Sequence, residues 1–165
     1  MTNFISETYI KNNSPVTYNI DSKDLYSHVD TAEQVHIQSI LGSEFYDDLK
    51  TKYEAQTLST DESTLVQYWI KPADLWRSLA LALPWIHYNL RNKGFMDNTD
   101  DNASHTGFSE FKFMLNETTN RAEFLENQLI KYLCENSSLF SLYTSQDGLT
   151  PPNSENRFDS GLGMY

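Results

Sequence analysis

The sequence predicts an all-α protein, a bundle of about four to five helices with extended N- and C-terminal arms. Three observations carry that expectation. All three tryptophans fall between Gln67 and Gly94, where Trp76, Leu79, Ala80, Leu83, Ile86 and Leu90 recur at helical spacing and make one apolar face. Further on, Phe108, Phe111, Leu115, Thr118, Ala122, Leu125, Leu129 and Tyr132 step alternately by three and four. That is a heptad-type seam, suited to antiparallel packing along another helix. Between these segments lie recognisable helix start and stop residues.

Residues 1–20 alternate short apolar and polar residues around Asn12-Asn13-Ser14-Pro15 and read as an extended arm with a turn. The helical domain then runs over 21–140. Asp21 can cap a short helix over Lys23 to Val29, and Asp30-Thr31 offers a second cap. Ala32, His36, Ile37, Ile40 and Leu41 form an amphipathic face that stops at Gly42. Ser43 caps the next helix, whose positive end is crowded by Glu44, Asp47 and Asp48 and whose apolar side is Phe45, Tyr46, Leu49 and Tyr53. Ala55 to Thr60 is a loop, and Thr60 or Asp61 restarts a helix through Leu65, Tyr68 and Trp69.

The tryptophan-rich helix should follow as the buried hub. Pro72 suits a first turn, where a missing N–H costs nothing. Pro84 lies deeper and should bend the rod. Gly94 supplies a stop after Arg91 and Lys93. The polar run from Met96 to Gly107 reads as a surface loop. Helical periodicity ends beyond Phe140, and residues 141–165 form an extended tail. That tail carries Phe158, Leu162, Met164 and Tyr165, large apolar residues that a solvated tail ordinarily lacks.

At 165 residues, with 39% hydrophobic and 13% aromatic content, the chain is one domain by size, its core built from a few large side chains. Twelve basic against 23 acidic residues give a net charge of −11 and an isoelectric point near 4.6. That balance disfavours sequence-independent nucleic-acid binding and docking on an anionic membrane. The uncharged run between Arg77 and Arg91 is too short to span a bilayer, and the N-terminus has no basic or apolar leader pattern. The single Cys134 lies in an apolar helical pattern and reads as a buried thiol. Synthesis in a reducing cytoplasm follows.

Candidate chemistry is sparse. His28, His36, His87 and His105 share no metal-ligand spacing with one another, with Cys134 or with an acid. The Asp97–Asn102 cluster imitates a calcium loop, but Asn102 stands where the glycine belongs and Phe108 where the glutamate belongs. Asp47 and Asp48 are adjacent on a helix and diverge. No nucleophile elbow, phosphate loop or dinucleotide fingerprint is present. The expectation is a non-enzyme with no cofactor and no metal.

Several stretches carry a resemblance. They are Phe4-Ile-Ser-Glu-x-x-Ile10-Lys-x-Asn13-x-Pro15-Val and Ala32-Glu-Gln-x-x-Ile-Gln-x-Ile-Leu-Gly42-Ser-x-x-Tyr46-x-x-Leu49. To these are added Tyr68-x-Ile-Lys-Pro72-Ala, Ala82-Leu-Pro-Trp-Ile-x-Tyr88, Asn92-Lys-Gly94 and Ala122-Glu-Phe-x-Glu-Asn-x-Leu-Ile-Lys-Tyr-Leu-Cys134. Together they span roughly residues 4 to 140. The chain resembles small virion proteins of tailed phages that infect Bacteroidetes, crAss-like phages included, related to head–tail connector (adaptor, neck ring) proteins. Asp74-Leu-Trp76 departs from the small or apolar residues expected there and leaves open which face of that helix is buried.

The resemblance implies a structural virion protein in the phage neck, a homo-oligomeric ring, typically twelve-fold, between the portal protein and the next neck or tail protein. DNA would pass through it without specific binding, and an acidic wall would let DNA slide. Ring closure uses head-to-tail interfaces, which suit one reaching arm and one receiving groove. Phe158, Leu162, Met164 and Tyr165 are the expected inter-subunit contact, with Phe4, Ile5 and Tyr9 as a secondary one. Rival readings are a tail-completion or stopper ring, and a monomeric acidic host-directed binding protein.

Overall fold

Local chemistry sets most helix boundaries in the computed structural model, which describes residues 2–15, 22–91, 94–97 and 108–144. Helix α1 (Glu7–Asn13) begins where the Ser6 hydroxyl accepts the Tyr9 N–H at 3.2 Å, with Glu7 in the first turn. Helix α2 (Ser22–Ala32) runs through a π-helical segment, Glu33–Ile37, into α3 (Gln38–Leu41). Gly42 ends α3 at φ 80° and ψ 150°, a conformation that costs glycine little, while its N–H still reaches the Gln38 carbonyl at 2.8 Å. Helix α4 (Ser43–Ala55) closes at Gln56, a non-glycine residue in the left-handed region at φ 56°. A reciprocal capping box then opens α5 (Thr60–Leu65): Ser59 N–H donates to Glu62 at 2.8 Å, and Glu62 N–H donates to the Ser59 hydroxyl.

A second π-helical segment, Val66–Ile70, joins α5 to α6 (Lys71–His87). In its wide turn the Lys71 N–H reaches back five residues to the Val66 carbonyl. The next residue is Pro72, which has no N–H to donate. The wide turn therefore ends where the ladder must lose a donor in any case, and the helix continues through the proline. Beyond the hub come an antiparallel hairpin of β1 (Tyr88–Arg91) and β2 (Gly94–Asp97), with Leu90 opposite Phe95, and the long α7 (Phe108–Glu135). A 3₁₀ turn, Ser137–Leu139, and α8 (Ser141–Thr144) fold back on α4, where Phe140 and Tyr143 pack on Phe45.

Helix α6 lies between α2 and α7 and separates two apolar lobes. One lobe joins Ile37, Leu41, Phe45, Leu49, Leu65, Ile70 and Ala73 to Leu129 and Leu133 of α7. The other joins Ile10 of α1, Leu25 and Val29 of α2, and Leu75, Leu79 and Ala82 of α6. Phe4 enters the first lobe and Ile5 the second. The chain bends at these two residues, so consecutive side chains fasten the N-terminal segment to both lobes. Burial of each stabilises the chain by at most about 1.5–3 kcal/mol.

The all-α expectation is met, and several details differ. The N-terminal residues are not extended throughout, because Ser6 and Glu7 start a helix. The break expected at Asp30-Thr31 is absent: Thr31 Oγ1 donates to the Ser27 carbonyl at 2.8 Å and stays inside the helix. The hub helix stops at His87, well short of Gly94, so Leu90 lies on a strand and not on the helical face. Pro84 removes the donor that would bond the Ala80 carbonyl, and the helix survives only three residues more. Nor is the hub uniformly buried: Trp69 and Trp76 are half-buried, and Trp85 is 49% exposed, its ring stacked near His28. The seam of α7 holds as read through Ala122 and Leu129, with Ile130 and Leu133 joining it at the C-terminal end.

Candidate functional site

The interior of this apolar bundle contains charged side chains. Glu33 leads the first π-helical segment, Lys50 and Tyr46 stand one turn apart on α4, and Asp74 sits on α6; all four are buried. Lys50 forms an ion pair with Glu33. The cluster grips the N-terminal segment by its backbone. Phe4 N–H donates to Glu33 Oε1, Lys50 Nζ donates to the Thr2 carbonyl at 2.8 Å, and Tyr53 Oη donates to the Phe4 carbonyl at 3.1 Å. Thr2 N–H donates to Glu54 at 2.8 Å. The Lys50 ammonium also lies 4.3 Å from the centre of the Phe4 ring, a cation–π contact in a dry setting.

Burial pushes Asp74 well above the usual carboxylate range, and the neighbouring Glu33 charge adds to the shift. Asp74 Oδ2 has no donor facing it. A protonated Asp74 resolves this, because the acid then donates and Glu33 is the acceptor beside it. Asp74 Oδ1 accepts from Ser78 at 3.3 Å. The Tyr46 phenol is likewise raised by burial and by Glu33, so it keeps its proton and donates to Glu33 Oε2 at 3.2 Å.

One turn along α6, Arg77 grips Glu126 of α7 through two parallel bonds, Nε to Oε1 and Nη2 to Oε2, each 2.7 Å. His36 of the π-helical segment approaches the same carboxylate at 3.3 Å. Burial would raise the Glu126 pKa, but the His36 and Arg77 bonds overcome it and hold the group down to about 2. This trio locks three helical segments together. Both charged clusters hold the fold, and of their side chains only His36 is partly open to solvent.

The outer surface differs. On α7, Phe113, Met114 and Phe124 are 66%, 52% and 60% exposed. With Trp76 and Arg121 they line a shallow groove of about 530 Å³, rimmed by Glu117, Thr118 and Asn120. The Arg121 guanidinium lies 4.0 Å from the centre of the Trp76 ring and fixes one wall. Exposed apolar residues grouped in this way mark an interaction surface more often than single ones do.

The structure brings Phe4 and Ile5 into the chain's own core and leaves Tyr9 half-buried beneath Lys71, so these residues are not a free arm. Burial in the same chain leaves Phe4 and Ile5 no surface for the expected contact between subunits, while Tyr9 keeps a partly exposed face. Phe158, Leu162, Met164 and Tyr165 lie outside the described residues, as does His105. His36 is the paired histidine just described, and Cys134 is half-buried against the core. Sequence reasoning missed Glu33, Lys50, Asp74, Arg77 and Glu126, which carry charges that ordinarily face water. Among the described residues no group of three or more His, Cys, Asp or Glu side chains is placed to hold a metal ion. No described helix is long and apolar enough to cross a membrane.

Neither a curated protein nor a solved structure matches the chain significantly. The profile of a family of unknown function, DUF6712, matches residues 37–153, most of the chain, and the protein belongs to that family.

Proposed function

We propose that this protein is a structural subunit of a tailed-phage virion, a head–tail connector that forms a ring between the portal and the tail. The observation that carries the reading is the exposed apolar groove on α7, where Phe113, Met114 and Phe124 are grouped beside Trp76. A monomer gains nothing from three large apolar side chains held on one solvent face, whereas a subunit of an assembly covers them. The motifs shared with connector-related virion proteins support the same class. So does the rigidity of the interior, where buried ion pairs clamp the helices and the N-terminal segment in one arrangement.

The net charge of −11 suits a channel through which DNA passes, because a negative wall repels phosphate and leaves the duplex free to slide. The partners are then further copies of the chain, twelve around the portal, the portal protein above and the next neck or tail protein below. Mixing the purified protein with its portal and imaging the product tests this. Closed rings stacked on the portal support the proposal, and a protein that stays monomeric and is missing from purified particles refutes it.

A further inference from the structure

We propose that residues 2–5 form a proton-operated strap, docked while Asp74 and Glu33 share one proton and released when that proton is lost. The device is complete within one chain and needs no neighbouring subunit. Side chains of the helical body hold the strap by its backbone. The Thr2 N–H and carbonyl go to Glu54 and Lys50, and the Phe4 N–H and carbonyl go to Glu33 and Tyr53. Two of those partners, Glu33 and Lys50, are also the buried ion pair, and Lys50 lies over the Phe4 ring as well. Whatever disturbs that pair therefore loosens the strap.

Asp74 is positioned to disturb it. This side chain is buried, its Oδ2 faces no donor, and Glu33 is the neighbouring carboxyl. With one proton between the two acids, Glu33 and Lys50 cancel and the cluster is neutral. Without it, two carboxylates compete for the Lys50 ammonium in a dry site. If Lys50 turns to Asp74, it leaves the Thr2 carbonyl and the Phe4 ring. If it stays, Asp74 is left charged and unpaired. Lifting the strap lets water reach both acids and relieves the conflict.

The remaining groups facing this region are engaged elsewhere. Tyr46 of α4 donates to Glu33, and Tyr9 of α1 keeps its proton, its phenol raised by burial and by Asp74. Helix α2 packs on α6 through Leu25 and Val29, and its Asp30 accepts from Asn3 at the surface. Helix α7 brings Glu126, already held by Arg77 and His36. On α6 itself, Ser78 donates to Asp74 Oδ1 and Lys71 lies over the Tyr9 ring.

The sign of the pH response follows. Docked, Asp74 holds its proton well above the ordinary value of 3.8, and once wet it returns to that value. Docking is therefore strongest below 3.8 and weakens by up to about tenfold per pH unit as pH rises toward the docked value.

Amide exchange of the full-length protein tests the strap, read by NMR and corrected for the intrinsic rate at each pH. From about pH 4 to about pH 8, protection of the Phe4 amide in wild type should fall by at least about tenfold. In Asp74→Asn it should stay level within about threefold over the same range. At every pH Phe4 should exchange faster than Leu129 and Leu133 in the core. Asp74→Leu, of similar size, makes the same test if circular dichroism shows that the amide disturbs the fold. A smaller fall in wild type, or a variant that falls as steeply as wild type, overturns the proposal. So does a Phe4 amide that opens only together with Leu129 and Leu133, because the strap then moves only when the whole chain unfolds.

Discussion

Replacing Arg77 with methionine tests the lock between α6 and α7. The substitution keeps an unbranched side chain of similar bulk and deletes both hydrogen bonds to Glu126. A carboxyl lowered from its ordinary 4.5 to about 2 contributes about 3 kcal/mol to stability at neutral pH. Removing one partner of a buried pair costs about 3–5 kcal/mol, because the other charge stays buried without compensation. Both routes lead to a loss of about 3 kcal/mol, softened by the remaining His36 contact. The pH dependence is distinctive. In the wild-type chain Glu126 gives up its proton more readily when folded, so its contribution is complete above about pH 4.5 and drains away as pH falls toward 2. Arg77→Met should flatten that acid limb, and adding Glu126→Gln should restore at least about 1 kcal/mol by removing the stranded charge. Urea unfolding between pH 2 and 7 reads all three variants. A loss below about 1 kcal/mol at pH 7, with an unchanged acid slope, would refute the argument.

Phe4→Ala should cost about 3 kcal/mol, the usual range for a buried ring. The loss should appear as faster amide exchange over residues 2–13, because undocking of the segment is cheaper than global unfolding. Asp74→Asn should be nearly neutral below the ordinary aspartate value of 3.8, since an amide copies the protonated acid. Asp74 has a raised folded pKa, so its contribution is intact below the ordinary aspartate range and lost as pH rises through the folded value. The variant should therefore lose less stability than wild type as pH rises above about 4, read by thermal melts across the titration. Ser59→Ala removes one half of the capping box and should lower stability by about 1 kcal/mol in chemical denaturation. Phe113→Asp and Phe124→Asp should each change monomer stability by less than about 0.5 kcal/mol while abolishing self-association in light scattering.

Periodicity alone located α7, because its seam is long and faces one partner, and Gly42 was readable as a stop because a left-handed residue there favours glycine. The π-helical turns were not readable. Their residues suit α-helix locally, and the wide turns bury Glu33 and Ile37 in one case and Val66 and Ile70 in the other. The charged interior was hidden for a related reason. A lone Lys50 or Asp74 reads as solvated, and only the fold brings their partners from elements tens of residues away. Asp74-Leu-Trp76 did stand out as a place where small or apolar residues were expected. It marks the helix face that carries the buried acid. The groove on α7 was missed because Phe113, Met114 and Phe124 fall off the seam, and singly such residues are unremarkable on a surface.

The central claim is that this chain is a ring-forming subunit of the virion neck, and the most direct measurement is cryo-electron microscopy of purified particles. Density for this helical body is expected in a closed ring beneath the portal, with each α7 groove covered by a neighbouring protein. Particles that lack the protein, or a ring in which Phe113, Met114 and Phe124 face open solvent, would contradict it.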